Sequence, residues 1–307
     1  MPPRLPLRSP RPQRPFAVLM LALCVGAAHA TPMTLSNYLA LDGPAPAATI
    51  AYGKAASQYA ELFRPTGAGP FPVVLLVHGG CWTVEFGGIR QMRNVAGALV
   101  AQGIAVWNVE YRRADEDGGG YPGSYQDVGA ALDKLLAEAP RLGLDPKRVV
   151  GVGHSAGGQL VQWLAGRARV ARASPLYQSE GTSLSEVISL GGLADLRNEQ
   201  ALIRASCGRD TLALAGSPSA ARPDVFADTN AAELVPNGSH SVLITGELDT
   251  ISPPRAAHDY ARRARAAGDA AEVVIVAGAS HYDEIAADSP AWSALLQAIR
   301  AALHLTN

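Results

Sequence analysis

The chain has 307 residues, of which 48% are hydrophobic and 17% are charged, and its formal net charge is −1. This length is too great for a small domain but normal for a single domain built on a large buried sheet. Because neither acidic nor basic residues predominate, the composition argues against a protein that binds nucleic acid or an anionic membrane surface.

The first thirty residues have the pattern of a secretory signal peptide. Four arginines between positions 4 and 14 precede an apolar run over residues 16–28, and Ala28-His29-Ala30 matches an A-x-A cleavage signature. The run is shorter than the about 20 residues of a transmembrane helix, which disfavours an uncleaved anchor. Leu23 is bulky for a lipoprotein signal at Cys24. We therefore expect export to the periplasm or the exterior, no stable membrane insertion after cleavage, and one domain over residues 31–307.

Buried strands alternate with helices along the rest of the chain. After an irregular lead-in with an edge hairpin at 49–52 and 61–63, strands are predicted at 73–77, 105–110, 149–153, 187–190, 242–246 and 272–276. Helices are predicted at 89–102, 125–139, 156–167, 254–267 and 291–303, with a turn at Asp145-Pro146. This alternation predicts an α/β fold with a mostly parallel sheet and helices on both faces. Segment 194–238 is predicted to be a short insertion over the sheet.

Residues 153–157 have the sequence G-H-S-A-G, a G-x-S-x-G motif with an apolar strand before it and a helix-compatible run after it. In that context the motif predicts a sharp turn that exposes the hydroxyl of Ser155 as a nucleophile. Glycines flank the serine because larger side chains would collide with neighbouring strands or with the helix. The alternative is a glycine-rich turn with an incidental serine.

The segment 78–82, H-G-G-C-W, directly follows the predicted strand 73–77. Attack on a carbonyl group places negative charge on its oxygen, so two backbone N–H groups must point at that atom. We expect one donor to be the N–H of Ala156 and the other to come from Gly80 or Cys81. Gly79 and Gly80 allow the main chain to approach closely.

Three further side chains lie in or beside these motifs. His78 is expected to fix the loop and not to act as a base. Trp82 is a candidate wall of the substrate pocket, although core packing has equal weight. His154 is a candidate substrate-binding position within the elbow, and we expect its side chain to turn away from the nucleophile.

The loop H-G-G-C-W and the elbow G-H-S-A-G-G together resemble the esterase, lipase and kynurenine-formamidase branch of the α/β-hydrolase superfamily. The similarity covers roughly residues 72–303 and includes Glu110-Tyr111-Arg112, Tyr121-Pro122 and Asp127. It implies the α/β-hydrolase fold and catalytic residues in the order Ser, Asp or Glu, His. Cys81 departs from the pattern, since many relatives have Gly, Ala or an aromatic residue there. Only the backbone is needed at this position, so the departure concerns the shape of the pocket.

The resemblance also indicates the acid and the base. The segment from Gly246 to Pro253 matches the family pattern G-x-x-D-x-x-x-P, which favours Asp249 as the acid over the alternative Glu247. Residues 278–281 match G-x-x-H, so His281 is the predicted base that takes the serine proton and returns it to the leaving group. Asp249 would hold the imidazole in the required tautomer.

These residues predict acyl transfer to Ser155 followed by hydrolysis by water. Small to medium, largely neutral carboxylic esters are the expected small-molecule substrates. An arylformamidase and an exopeptidase-type amide hydrolase remain open, as does a non-catalytic ligand-binding protein on the same scaffold. The chemistry requires no cofactor, and no group of residues has the spacing of a metal site.

Cys81 and Cys207 are the cysteines that remain after the predicted signal peptide. An exported compartment permits a disulfide bond between them. Because Cys81 lies in a loop that must hold a strict backbone shape, we expect a free thiol there. The sequence leaves the pairing itself open.

Overall fold

The structure is a computed structural model that describes Met1, residues 31–179 and residues 181–305. The predicted signal-peptide features, from the first arginine to the cleavage signature at Ala30, lie outside the described residues and stay predictions. The segment Thr31–Asn307 forms one compact unit. Within the described ranges, the helices are all too short or too polar to cross a membrane.

An eight-stranded sheet forms the centre of the fold, with the strand order β1-β2-β4-β3-β5-β6-β7-β8. The strands are β1 (Ala48–Ala51), β2 (Tyr59–Phe63), β3 (Phe71–Val77), β4 (Ala105–Val109), β5 (Leu144–His154), β6 (Glu186–Leu190), β7 (His240–Gly246) and β8 (Ala270–Val276). β1 and β2 pair in antiparallel fashion, β2 is antiparallel to β4, and every pair from β4 to β8 is parallel. The predicted mostly parallel sheet and the predicted edge hairpin are therefore confirmed.

Helices cover both faces of the sheet. They are α1 (Leu35–Ala40), α2 (Ile89–Ala101), α3 (Gly123–Leu142), α4 (Ala156–Gly166), α5 (Gln200–Cys207), α6 (Leu212–Ala215), α7 (Pro254–Ala267) and α8 (Trp292–Ala302). Successive residues of a strand point to opposite faces, and β3 illustrates the result. Val73 and Leu75 join a core cluster with α3, α4 and α7, whereas Val74 and Leu76 join another with α2 and α8. All four side chains are fully buried, which explains why β3 is apolar throughout.

Three local features differ from the sequence-based expectations. The lead-in contains α1, which was not predicted. The turn expected at Asp145-Pro146 is wrong, because these residues lie inside β5. They form an irregularity there: Leu144 pairs with Phe71 and Val149 with Val73, so the residues between them bulge from the ladder. The insertion after β6 is more ordered than predicted, since it carries α5 and α6.

The topology brings distant parts of the sequence to one edge of the sheet. In a parallel sheet the carboxyl ends of all strands lie on the same side, where ligands of α/β proteins bind. The ends of β3, β5, β7 and β8 therefore carry the loops in which the candidate residues occur. The predicted site is assembled from these four loops.

Candidate active site

Ser155 lies in the sharp turn between β5 and α4. Its backbone angles are φ 53° and ψ −117°, in a region that residues other than glycine rarely adopt. The Ser155 N–H donates to the carbonyl of Leu190 at 2.8 Å, which ties the turn to β6. The hydroxyl has no hydrogen-bond partner among the described residues. The strained turn thus presents an unengaged hydroxyl at the sheet edge.

The glycines on either side of Ser155 are required by close backbone contacts. A Cβ atom at Gly153 would lie 2.2 Å from the carbonyl oxygen of Gly157. A Cβ atom at Gly157 would lie 2.2 Å from the carbonyl oxygen of Val77. A side chain at Gly157 would therefore force the elbow away from β3, and one at Gly153 would collide with the first turn of α4.

Asp249 and His281 form a buried pair beside this turn. Asp249 follows β7 and His281 follows β8, and the distance from His281 Nδ1 to Asp249 Oδ2 is 2.7 Å. The other oxygen, Oδ1, accepts the N–H groups of Ile251 and Ser252 at 2.7 and 2.8 Å. Burial raises the pKa of Asp249, but the adjacent His281 and the two backbone donors outweigh burial and lower the pKa overall. Asp249 is thus held as a carboxylate that orients the imidazole.

The alternative acid, Glu247, has a different environment. Its side chain is exposed, and Oε2 accepts the N–H of Gly278 at 3.0 Å. The carboxyl group of Glu247 makes no contact with His281 in the described part of the chain. The structure therefore brings Asp249, and not Glu247, to the imidazole.

The loop after β3 supplies free amides next to the elbow. Gly80 has φ 99° and Cys81 has φ 51°, so the chain turns sharply there. The N–H groups of Gly80, Cys81 and Ala156 have no acceptor within the described residues. Gly79 passes so close to the elbow that a Cβ atom on it would lie 2.9 Å from Ser155 Cβ. The backbone donors expected of an oxyanion hole are thus present and unengaged.

His78 holds this loop in place through contacts of its buried ring. The ring is fully buried and stacks on Tyr111 with 4.4 Å between ring centroids. Nδ1 lies 2.7 Å from the carbonyl oxygen of Gly79, and Nε2 lies 2.8 Å from Oε1 of Glu110. Each ring nitrogen therefore contacts an oxygen atom, which fixes the orientation of the ring. These contacts match the structural role expected for His78.

Ser155, His281, Gly80 and Cys81 line one small cavity of about 100 Å³. Its other walls are residues that the sequence did not indicate: Leu35, Tyr38, Phe86, Ser206, Ile251 and Tyr282. One local signal could have located α1, because Thr34 accepts the N–H of Asn37 as a helix N-cap. The remaining wall residues come from separate loops, and no local pattern connects them. Ser155 and His281 face this common cavity without a hydrogen bond between them in the described structure.

A family profile, BD-FAE, matches residues 61–263, which is more than half of the chain. The chain belongs to the BD-FAE family. Among curated proteins, it is 40% identical over 107 residues to carboxylesterase NlhH of Mycobacterium tuberculosis, covering 34% of this chain and 32% of that protein. It is 32% identical over 118 residues to an AB hydrolase superfamily protein of Schizosaccharomyces pombe, covering 37% and 33%. This BD-FAE protein thus spans about a third of the length of the curated relatives that it matches.

Solved structures place this BD-FAE protein in the α/β-hydrolase fold. A bacterial heroin esterase is 26% identical with a TM-score of 0.63, covering 81% of this chain and 80% of that chain. Esterase B from Lactobacillus rhamnosis is 20% identical with a TM-score of 0.69, covering 86% and 89%. A carbohydrate esterase from gut microbiota is 16% identical with a TM-score of 0.68, covering 83% and 95%. The fold class and the family resemblance expected from the motifs are confirmed.

We expected the side chain of His154 to turn away from the nucleophile, but in this BD-FAE protein it faces the site. Its ring packs against His281 with 4.6 Å between centroids and contributes to the cavity wall. Nε2–H donates to the carbonyl oxygen of His281 at 3.0 Å. Burial and the neighbouring His281 lower the pKa of His154 to about 3, so the ring is neutral. His154 is therefore an uncharged donor that packs against His281.

The structure separates the environments of Trp82 and Cys81. Trp82 is buried in the core cluster and is not among the cavity-lining residues, which favours the core-packing alternative. The chain passes through left-handed angles at Cys81 and Trp82, which carries the indole into the core.

Cys81 is not a free thiol: it is bonded to Cys207 at the end of α5, with 5.5 Å between the Cα atoms. The strict loop shape is compatible with the bond because α5 lies directly against the loop.

One buried group of potential metal ligands occurs in the BD-FAE site. Single ligand atoms of His154, His281 and Glu284 lie within 4.8 Å of one another. However, His154 Nε2 and His281 Nδ1 already contact the His281 carbonyl and Asp249. An ion would have to displace the contact between His281 and Asp249, so we assign no metal to this group.

Proposed function

We propose that this protein is a serine hydrolase that cleaves carboxylic esters with short acyl groups through an acyl-enzyme intermediate. The observation that carries the proposal is the buried Asp249–His281 pair, which opens onto the same small cavity as the strained Ser155 and two loop residues with free amides. Carboxylesterase and esterase relatives support ester hydrolysis as the reaction class.

The geometry supports a defined role for each group. His281 takes the proton of the Ser155 hydroxyl as the oxygen attacks the ester carbonyl, and Asp249 stabilises the resulting imidazolium. The amides of Ala156 and of Gly80 or Cys81 hold the oxyanion. His281 then returns the proton to the leaving alcohol, and a water molecule hydrolyses the acyl-enzyme by the same steps. Each oxyanion donor contributes a factor on the order of 100 to 1,000 in turnover.

The dimensions of the cavity support short acyl groups. Its volume of about 100 Å³ is well below that of pockets that enclose drug-sized ligands, which hold roughly 300–1,000 Å³. Leu35, Phe86 and Ile251 provide apolar wall, and neither Lys nor Arg lines it within the described residues. An uncharged acyl group from acetyl to butyryl fits these properties. A longer acyl chain would have to leave the cavity.

A substrate panel tests this proposal. The purified protein is offered p-nitrophenyl acetate, butyrate, octanoate and palmitate beside N-formyl-kynurenine and aminoacyl amides. We expect kcat/KM to be highest for acetate or butyrate and to fall with chain length. A preference for the formamide or the aminoacyl amides would instead assign an arylformamidase or an exopeptidase.

Ser155→Ala tests the nucleophile directly. Hydrolysis should fall by a factor on the order of a million, and labelling by a fluorophosphonate probe should disappear, because no other oxygen occupies the elbow. Ser183→Ala removes a hydroxyl outside the cavity and should keep both activity and labelling. Full activity in Ser155→Ala would end the assignment.

We also infer that the protein is exported, with cleavage after Ala30. The pattern of residues 1–30 and the disulfide between Cys81 and Cys207 support an oxidising compartment. N-terminal sequencing of protein from an expression host with a periplasm should give Thr31 as the first residue. An intact Met1 in the cytosolic fraction would contradict export.

A further inference from the structure

Glu284 lies three residues after His281, in the single turn Asp283–Ile285, and its side chain is fully buried. Oε1 accepts the N–H of Gly246 at 2.7 Å. Oε2 has no hydrogen-bond donor among the described residues. It lies 3.8 Å from His281 Nδ1 and 4.0 Å from His154 Nε2. A carboxyl group that the proposed mechanism does not use is therefore in contact with the catalytic base.

Neither nearby imidazole donor is available to Oε2. His281 Nδ1–H donates to Asp249 at 2.7 Å, and His154 Nε2–H donates to the His281 carbonyl at 3.0 Å. Within the described chain, no Lys or Arg forms an ion pair with Glu284. An ionised Glu284 would thus be a buried anion without a donor on Oε2, which is a costly arrangement.

The neighbouring charges strengthen this argument. The titratable groups around Glu284 are the carboxyl groups of Asp249 and Asp283 and the imidazoles of His281 and His154. Burial, and then the Asp249 carboxylate, raise the pKa of Glu284 well above its ordinary value. Two carboxyl groups that share a buried site do not both ionise. Asp249 already accepts three N–H donors, so Asp249 keeps the charge and Glu284 keeps the proton.

We propose that Glu284 is a positioning residue of the Ser155–His281–Asp249 triad: it remains protonated and donates its Oε2 hydroxyl to Asp249 Oδ2. The contact holds the carboxylate against His281 Nδ1 without adding a second negative charge. This inference rests on the proposed function, because the triad must be catalytic for its positioning to affect turnover.

Gly191 leaves the space that this contact needs. A Cβ atom there would lie 2.3 Å from Glu284 Oε2, 2.8 Å from His281 Nδ1 and 2.9 Å from Asp249 Oδ2. Three polar atoms, one each from Asp249, His281 and Glu284, therefore converge on the face of one glycine. Such convergence matches one hydrogen-bonded cluster of Glu284, Asp249 and His281.

Two substitutions test whether Glu284 acts as a neutral hydrogen-bond donor or only fills space in the core. In Glu284→Gln the amide oxygen can accept the Gly246 N–H while the amide nitrogen donates to Asp249, so kcat should stay within a few-fold of wild type. Glu284→Leu removes the donor, and kcat for p-nitrophenyl acetate should fall by about 10- to 100-fold with little change in KM, the effect of losing one hydrogen bond to a charged group. An equal loss in both variants, or wild-type kcat in Glu284→Leu, would overturn the proposal.

The pH profile decides the charge of Glu284 even if Glu284→Leu does not fold. If the residue is neutral, Glu284→Gln leaves the midpoint of the acid limb of kcat/KM unchanged. If it is an anion 3.8 Å from the imidazole, its removal destabilises the imidazolium and moves the midpoint to lower pH by about one unit or more. Glu247→Gln makes the same chemical change at an exposed position and should keep the wild-type profile. A shift in Glu284→Gln alone would contradict a protonated Glu284.

A measurement without substrate distinguishes this proposal from the proposed function. The infrared difference spectrum between wild type and Glu284→Gln at neutral pH should contain the carbonyl band of a protonated carboxylic acid. Carboxylate bands in its place would overturn the inference. A protein with this band but without activity on any ester would instead refute the proposed function.

Discussion

Cys81 in the loop after β3 and Cys207 at the C-terminal end of α5 are joined by a disulfide bond, although 126 residues separate them in the chain. The bond joins the loop that contains the proposed oxyanion amides to the insertion over the sheet. Ser206, which precedes Cys207, lines the same cavity as Cys81. We therefore expect this disulfide bond to affect both stability and activity.

We expect Cys207→Ser to reduce both properties. Removing a cross-link that closes a long loop should lower the free energy of unfolding by about 2–5 kcal/mol. Turnover of p-nitrophenyl acetate should also fall, because the loop that contains the amides of Gly80 and Cys81 is no longer covalently linked to α5. Urea unfolding and kinetics with and without reductant measure these effects. Wild type should lose activity on reduction, whereas the variant should not change further. Equal sensitivity of the two proteins to reductant would exclude the disulfide as the cause.

Asp249→Asn should reduce kcat by a factor on the order of 10,000, because an amide at this position favours the wrong imidazole tautomer. The lowered pKa of Asp249 keeps this carboxylate ionised, so we expect the acid limb of the wild-type rate profile to follow the proposed base and not Asp249. Activity is expected to fall as the pH decreases through that limb. Retained turnover with an unchanged profile in His281→Gln would exclude His281 as the base.

Glu110 should make the stability of the protein depend on pH. Burial raises the pKa of this carboxyl group, but His78 and Arg113 outweigh burial and lower it from 4.5 to about 2. Because the folded-state pKa is the lower one, the stabilisation is fully present above about pH 4.5 and is lost as the pH falls towards 2. The lost contribution is about 3 kcal/mol.

Glu110→Gln checks this expectation. The variant should be less stable than wild type at pH 7, and the difference in the free energy of unfolding should shrink as the pH falls through the window from 4.5 to 2. Urea unfolding across that range measures the difference. The matched control is Glu138→Gln, which removes a carboxylate from an ion pair on the surface of α3 and should have little effect. A difference that does not depend on pH would show that Glu110 acts through packing.

Gly191→Ala should impair catalysis. Gly191 has φ 50°, and a methyl group there would displace Asp249 and His281, a misplacement that typically costs about 100-fold in turnover. Gly103→Ala is a suitable control, since Gly103 has φ 77° and open space around the added Cβ atom. Both variants place an alanine at a positive φ angle, which is unfavourable in either case. Only the additional loss of kcat in Gly191→Ala therefore measures the steric conflict with Asp249 and His281. Equal kcat in the two variants would contradict the crowding.

The elbow and the oxyanion loop could be predicted because their signals are local. A buried strand, a G-x-S-x-G turn and a helix are consecutive in the sequence, although Gly157 and Gly79 are required by contacts between the elbow and residues 77–79. The choice of Asp249 over Glu247 needed the family spacing. The structure gives the reason, because only Asp249 turns its oxygens towards Ile251, Ser252 and His281.

By itself, the sequence determined the alternation of the main strands and helices, the mostly parallel sheet and the position of Ser155, because periodicity and turn chemistry act over short distances. The position of His281 followed from the family resemblance. Only the tertiary structure decided that Cys81 pairs with Cys207, that Trp82 enters the core, that α1 supplies Tyr38 to the cavity and that Glu284 contacts the acid–base pair. Each of these contacts joins segments that meet only after the sheet has assembled. Their geometry depends on packing between distant elements, for which a linear sequence contains no local pattern.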